Sequence, residues 1–520
     1  MQENKYKQEQ KDLRTGAGQQ GTNMSTPSKT SKLSHRVILA LIIAVASLFF
    51  IPSNGKMFFS GDDDDYFAVA SSIAYGQFPS FSNEFHSGEK MPFASVGAGV
   101  MASPFVMISS MFDRHNNLPI VNKRTLSNRE DSASAYGFYI ATQFYFILAT
   151  LFLYNLICLW VDSRSAIYTT ALTLLAGGGI FVYAFNRPIM SHVYELFAIT
   201  AALLLLSKTY FGRRGSGTWA LLGLAISFIF LTRYNNAPIV IGIFSTLLYW
   251  AYTKKISTTD LVITMISSAL PVLVFRILPI FSNGFSIEDS SYLNAGERLL
   301  ALHNIEFYYS RLITIILGTD MGLTYTAPAI ILSFVGYVFH AKKMPIWYSA
   351  LAILFSLNLF MSMQWCSAGS YYGYRHFIFT ATPLLAVFLA LLIQPAINSI
   401  SHFSASLLLA LFSWTSICSA LVFGVYQLGY SLDLGTTSCG FPAYQNFDYQ
   451  ITLIKLLSTD PFKPFLIAWE RSFGGTLAAG NLADQTGHLM LYAFPFLMTG
   501  TIFIHGITCQ HSHIYKKYEN

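Results

Sequence analysis

The chain has 520 residues, of which 53% are hydrophobic, 16% aromatic and only 11% charged, and its mean hydropathy is +0.46. That is too little polar surface to solvate a globular protein of this length, so a soluble fold is excluded and a membrane fold is expected. The net charge of +6 does not point to nucleic acid, because Lys and Arg sit in short clusters between apolar runs, where they act as orientation signals.

Residues 1–36 are rich in Lys, Gln, Ser, Thr and Gly and nearly devoid of apolar side chains, which predicts a disordered cytoplasmic tail rather than a secretory leader. The apolar run 37–51 is short for a span of about 20 residues but extends into its flanks. Basic residues precede it, placing the N-terminus inside and the next segment outside.

That next segment begins Ser60-Gly61-Asp62-Asp63-Asp64-Asp65-Tyr66. Acidic side chains beside a bilayer are costly and mark a candidate reaction centre. Ser60 suits a helix N-cap and the carboxylates suit a first turn. Tyr66, Phe67, Val69, Ala70, Ile73 and Ala74 then recur at helical spacing, so 62–75 is expected to be an amphipathic helix along the outer interface, stopped by Gly76. Successive residues turn by about 100°, so four aspartates cannot address one pocket. One or two are expected to do chemistry and the others to be solvated. Packed carboxylates repel, and a divalent cation at Asp62–Asp65 would relieve that. No other cofactor is implied.

Further spans are expected near 135–161, 166–185, 189–207, 218–232, 237–252, 260–281, 325–340, 346–363, 377–394, 405–425 and 488–506, roughly twelve with the first. The segment 93–112 is also apolar, but counting it as a span would turn every later basic cluster outward. Left uncounted, it leaves Arg164, Lys208 with Arg213 and Arg214, Lys254 with Lys255, Lys342 with Lys343, and Lys516 with Lys517 in the cytoplasm. Gly97, Gly99 and Pro104 fit a bent, re-entrant or interface-lying segment. The polar features then gather outside, where no cytosolic nucleotide sugar is available, so an activated substrate would arrive on a lipid carrier. Gly177-Gly178-Gly179 lacks a following Lys-Ser or Lys-Thr and reads as close helix packing, not a phosphate loop. The 44 Phe and 30 Tyr are mostly lipid-facing and interfacial surface. Five cysteines form no Cys-x-x-Cys or Cys/His set, which argues against a zinc or redox module. Cys366 and Cys439 could pair externally or stand as separate thiols.

The stretch GDDDDYFAVASSIAYGQFP, residues 61–79, resembles the opening of the first external loop in lipid-dependent glycosyltransferases of the GT-C superfamily, in the style of bacterial mannosyltransferases and aminoarabinose transferases. Gly61, Asp62, Asp63, Tyr66, Ala70 and Gly76 fall on the pattern, with Asp63 where Glu is usual. Gly88-Glu89-Lys90-Met91-Pro92-Phe93, Ala102-Ser103-Pro104-Phe105, Arg187-Pro188-Ile189-Met190-Ser191-His192, Gly322 to Pro328 and Trp365 to Arg375 resemble later external turns in the same order.

The resemblance implies an all-α polytopic membrane protein, a GT-C-like bundle of about twelve transmembrane helices with interfacial helices in the first external loop. After the tail come a catalytic module at 37–395, with its loop at 52–134, C-terminal helices at 396–506 with an external segment at 426–487, and a cytoplasmic tail at 507–520. It implies a polyprenyl-phosphate sugar donor, a glycan, lipid or protein acceptor, surrounding membrane lipids and no nucleic acid, in a bacterial inner membrane. Asp62, then Asp63, would be the base of a single inverting displacement. Arg375 could grip phosphate oxygens, with Lys90 and Arg233 as further cations and Tyr374 beside them. His192 and Glu195, one turn apart, could contact sugar or acceptor or simply hydrogen-bond within the bundle. Arg276 reads as structural. The rival reading is a transporter or flippase of lipid-linked saccharides, with the same charges holding cargo.

Overall fold

The computed structural model describes residues 35–41, 43–44, 62–80, 95–118, 132–175, 180, 183–184, 188–212, 215, 217–283, 305–317, 323, 327–354 and 375–408; the first apolar run is covered only in part, and the segment 426–487 lies outside the described residues. The chain is an all-α polytopic membrane protein, with no strand among the described residues.

The segment after the first apolar run supplies α1 (Asp62–Ala74) and α2 (Gly97–His115). Then follow α3 (Ala133–Ile157), α4 (Ser163–Leu175), α5 (His192–Tyr210) and α6 (Thr218–Thr232). A 3₁₀ turn (Tyr234–Asn236) joins α6 to α7 (Ala237–Tyr252), and α8 (Thr258–Val272) runs through a π-helical turn (Leu273–Ile277) into α9 (Leu278–Asn283). Then come α10 (Ile305–Leu317), α11 (Pro328–His340), α12 (Ile346–Ile353) and α13 (Arg375–Ser399). Among the described residues, Ala133–Ile157, His192–Tyr210, Thr258–Phe281 and Phe377–Ser399 are long and apolar enough to cross a membrane.

The helices pack in a chain of neighbours, α1 on α2, α2 on α3, α3 on α5 and α5 on α6, with α13 closing against α5 and α4. Because α5 is surrounded, it is apolar on every side and carries no hydrophobic stripe. By contrast Ile266, Leu270 and Phe281 stand outward along α8 and α9, as lipid contacts do.

The segment expected at 93–112 is a continuous helix around Pro104. The missing proline N–H would leave the Val100 carbonyl short of a donor, and Ser103 Oγ donates to it at 2.8 Å. Gly97 and Gly99 are there for proximity: a Cβ on Gly97 would strike the backbone of Leu231 and Thr232, and one on Gly99 the Tyr66 carbonyl. Asp113 then ties α2 to α3, accepting from the backbone N–H groups of Ala133 and Ser134 and from Ser134 Oγ at 3.0, 2.9 and 2.6 Å.

One expectation needs correction. Residues 62–74 are helical, but not amphipathic. Phe67, Ala70 and Ala74 face the main core, while Ala68 and Val69 join a second cluster with Val96, Val100 and Leu231. The small residues at 68, 70, 71, 72 and 74 let α1 be covered on nearly every side.

Candidate functional site

Gly76 terminates α1 as expected, at φ +72°, a left-handed conformation that glycine adopts without a Cβ clash. The aspartates differ from expectation: Asp63 is fully buried and Asp65 nearly so, with Asp64 half-buried. Positions 63 and 65 are about 200° apart around the helix, so these two carboxylates diverge. Among the described residues no group of three or more His, Cys, Asp or Glu is placed to hold a metal ion. The Asp62 side chain lies outside the described residues.

Asp63 and Tyr66 share a face of α1, one turn apart. Tyr66 meets the start of α5, where Ser191 Oγ donates to its hydroxyl at 3.1 Å. The acidic helix is thus joined to the Arg187–His192 motif, 125 positions further on in the chain.

The next residue, His192, accepts at Nδ1 from Arg233 Nη1 at 2.9 Å. Its ring lies parallel to Phe379, centroids 4.9 Å apart, with the edge of Tyr183 at 5.0 Å.

One turn along, Glu195 is 0% exposed in the middle of the bundle. Its Oε1 accepts from Asn236 Nδ2 at 2.8 Å and from Thr380 Oγ1 at 2.9 Å. Its Oε2 lies 3.6 Å from His192 Nδ1 and 3.9 Å from Arg233 Nη1, and no donor among the described residues reaches it within hydrogen-bond range. A carboxylate so deep is tolerable because two neutral donors hold one oxygen and a cation lies near the other.

The turn after α6 explains why Arg233 and Asn236 arrive together. Thr232 ends α6, Arg233 is extended at φ −159° and ψ 120°, and one 3₁₀ turn brings Asn236 back to the same side. Pro238 then starts α7 where its missing N–H costs nothing. Tyr234 points away, under the Arg276 guanidinium, 5.2 Å from the ring centre. Burial pushes the Tyr234 phenol above its ordinary pKa, and Arg276 opposes that.

The structure therefore brings together three sequence-derived candidates, His192, Glu195 and Arg233, and places Asp63 on the helix joined to them through Tyr66. Lys90 and Tyr374 lie outside the described residues. Arg375 is the first residue of α13, with its side chain outside the description, and Thr380 follows five positions later. Sequence reasoning missed Thr380, which has no motif and sits in an apolar run, and gave Asn236 no role, although its place three residues after Arg233 was a usable signal.

No family model matches the chain, and no curated protein matches it. Among solved structures it is similar to the apo oligosaccharyltransferase of Archaeoglobus fulgidus, with 14% identity, 84% of this chain and 59% of that one covered, and a TM-score of 0.45. The same protein tethered to an acceptor peptide containing the NVT sequon gives 15% identity, 84% and 58% coverage, and 0.46. ArnT from Cupriavidus metallidurans in the apo state gives 11% identity, 90% and 76% coverage, and 0.46. The chain spans less than two thirds of the archaeal protein's length. At these identities and scores the likeness transfers neither residues nor activity.

Proposed function

We propose that this chain is an integral-membrane glycosyltransferase of GT-C type, which moves a sugar from a polyprenyl-phosphate carrier to an acceptor hydroxyl at the external face. The observation that carries the reading is the join between α1 and α5. The helix opening with four aspartates is bonded through Tyr66 to Ser191, directly before His192, which meets the Arg233 guanidinium. A base and a phosphate-binding cation are what this reaction needs at close quarters.

In the proposed reaction Asp62 takes the proton of the acceptor hydroxyl as its oxygen attacks the anomeric carbon. The bond from that carbon to the carrier phosphate breaks on the opposite side, so configuration inverts and polyprenyl phosphate leaves. Lys90, Arg233 and Arg375 receive the phosphate charge, while His192 and Tyr374 line the sugar or acceptor side. Glu195 serves the site from within the bundle.

The test is transfer of labelled sugar from a panel of polyprenyl-phosphate donors by purified protein, wild type against Asp62→Asn. Transfer by the wild type that collapses in the folded variant, by about a hundredfold or more for loss of a general base, is expected. Full transfer by the variant would remove Asp62 from the role. One observation favours the transporter reading, namely a carboxylate buried in a helix long enough to span. Donor binding with no turnover in either protein would favour it.

A further inference from the structure

Glu195 touches residues from every element that carries a described candidate cation or imidazole, yet it faces the inside of the bundle. Asn236 and Arg233 come from the turn after α6, Thr380 from α13 and His192 from its own helix. Thr380 Oγ1 also lies 3.4 Å from Asn236 Oδ1, so the two donors to Glu195 are coupled to each other. Glu195 is fully buried, whereas the Arg233 side chain keeps 13% exposure. The charged pair thus has an inner end, the carboxylate, and an outer end, the guanidinium. The two are separated by 3.9 Å, beyond hydrogen-bond range, so the carboxylate orients the guanidinium electrostatically.

We infer that Glu195, locked by Asn236 and Thr380, is a positioning residue that holds the Arg233 guanidinium ready for the phosphate of a polyprenyl phosphate, and does not itself contact the ligand. This rests on the donor class proposed above. A carboxylate that contacted the sugar would need an accessible oxygen, and neither oxygen of Glu195 is reachable by solvent. A cation held by a buried carboxylate is also pre-ordered, so less side-chain freedom is lost when the phosphate binds. The His192 contact adds a second hold at the same nitrogen, since Arg233 Nη1 donates to a ring that Phe379 and Tyr183 clamp.

The experiment uses the full chain in lipid nanodiscs, with farnesyl phosphate as the probe and farnesol as its phosphate-free control. Binding is measured by calorimetry for wild type, Glu195→Gln, Thr380→Val, Arg233→Lys and the Glu195→Gln/Arg233→Lys double variant. Each protein's thermal midpoint is recorded to confirm folding. Glu195→Gln keeps the shape of the side chain and Thr380→Val removes one donor, so either can be read if the other fails to fold. The expected result is about tenfold weaker farnesyl phosphate binding by Glu195→Gln and by Thr380→Val, the scale of one misplaced charge-assisted hydrogen bond, with farnesol unchanged. Because Glu195 acts through Arg233, the double variant should bind no more weakly than Arg233→Lys alone.

Additive losses in the double variant would overturn the inference and make Glu195 an independent ligand contact. Equal weakening of farnesyl phosphate and farnesol would reduce it to a structural prop. Wild-type affinity in both Glu195→Gln and Thr380→Val would overturn it while leaving the donor reading intact. Failure of the wild type to prefer farnesyl phosphate over farnesol would sink the donor reading and the inference together.

Discussion

At the residue scale, Tyr66 has two jobs. Its ring is part of the main core and its hydroxyl accepts from Ser191. Tyr66→Phe retains the ring and removes only the polar join, which costs about 1 kcal/mol of stability by the usual worth of such a bond. We expect a thermal midpoint within a few degrees of wild type but a clear fall in sugar transfer, since α1 is then free to shift against the start of α5. Activity at the wild-type level would mean that packing, including that of Gly99 against the Tyr66 backbone, suffices to set the position of α1. His192, Glu195 and Arg233 were legible in the sequence because each is a polar residue in or beside an apolar run. Thr380 was not legible. A threonine in a membrane helix ordinarily bonds its own backbone, as Thr200 does to the Leu196 carbonyl, and nothing local distinguishes one that reaches across to another helix.

At the element scale, the helices are joined at both ends by polar clamps. Away from the candidate site, Asp162 lies between α3 and α4 and accepts from Ser165 N and Oγ, from Gln394 Nε2 at 2.8 Å and from Asn398 Nδ2 at 3.4 Å. It fastens the start of α4 to the end of α13, and Arg164 Nη2 adds a bond to the Ile400 carbonyl. Burial raises the Asp162 pKa, but the hydrogen bonds from Ser165, Gln394 and Asn398 outweigh it and leave the group below its ordinary 3.8. A carboxyl depressed in the folded state stabilises the fold above its unfolded pKa, and that stability is lost as pH falls through the folded value. The thermal midpoint should therefore be insensitive to this group at neutral pH and should drop in acid, below about pH 4. Asp162→Asn should lower the neutral-pH midpoint by a few degrees and flatten the acid limb. An unchanged acid limb in that variant would show that other carboxylates dominate.

The extent of α1 was legible from helical spacing and Gly76, but its environment was not. Spacing reports which residues share a face. It does not report that a second apolar cluster, built from Val96, Val100 and Leu231, covers the opposite one. The turn after α6 shows the same division. The helix stop near Thr232 and the restart near Ala237 were expected, whereas the convergence of Arg233 and Asn236 on Glu195 depends on the extended backbone at 233.

At the scale of the whole molecule, the basic clusters set the proposed orientation. If 93–112 does not cross, Lys342 faces the cytoplasm and Gln77, just past the end of α1, faces outward. In a variant freed of the native cysteines, Gln77→Cys should react with an impermeant maleimide added to intact cells, and Lys342→Cys should react only after the membrane is opened. The opposite pattern would turn the molecule over and move the proposed reaction to the cytosolic side.

Composition and charge placement determined class and candidate orientation, because transfer of apolar and charged groups between water and lipid is a property of residues taken singly and in short runs. Among the described residues helix positions followed too, since their periods and stops are local. Only the tertiary structure decided that Asp63 is buried, that Tyr66 meets Ser191, and that Glu195, Asn236, Thr380 and Arg233 form one node. Those contacts link residues 38 to 185 positions apart in the chain. Contacts of that kind depend on how covered helices settle against one another, which leaves no periodic mark in the sequence.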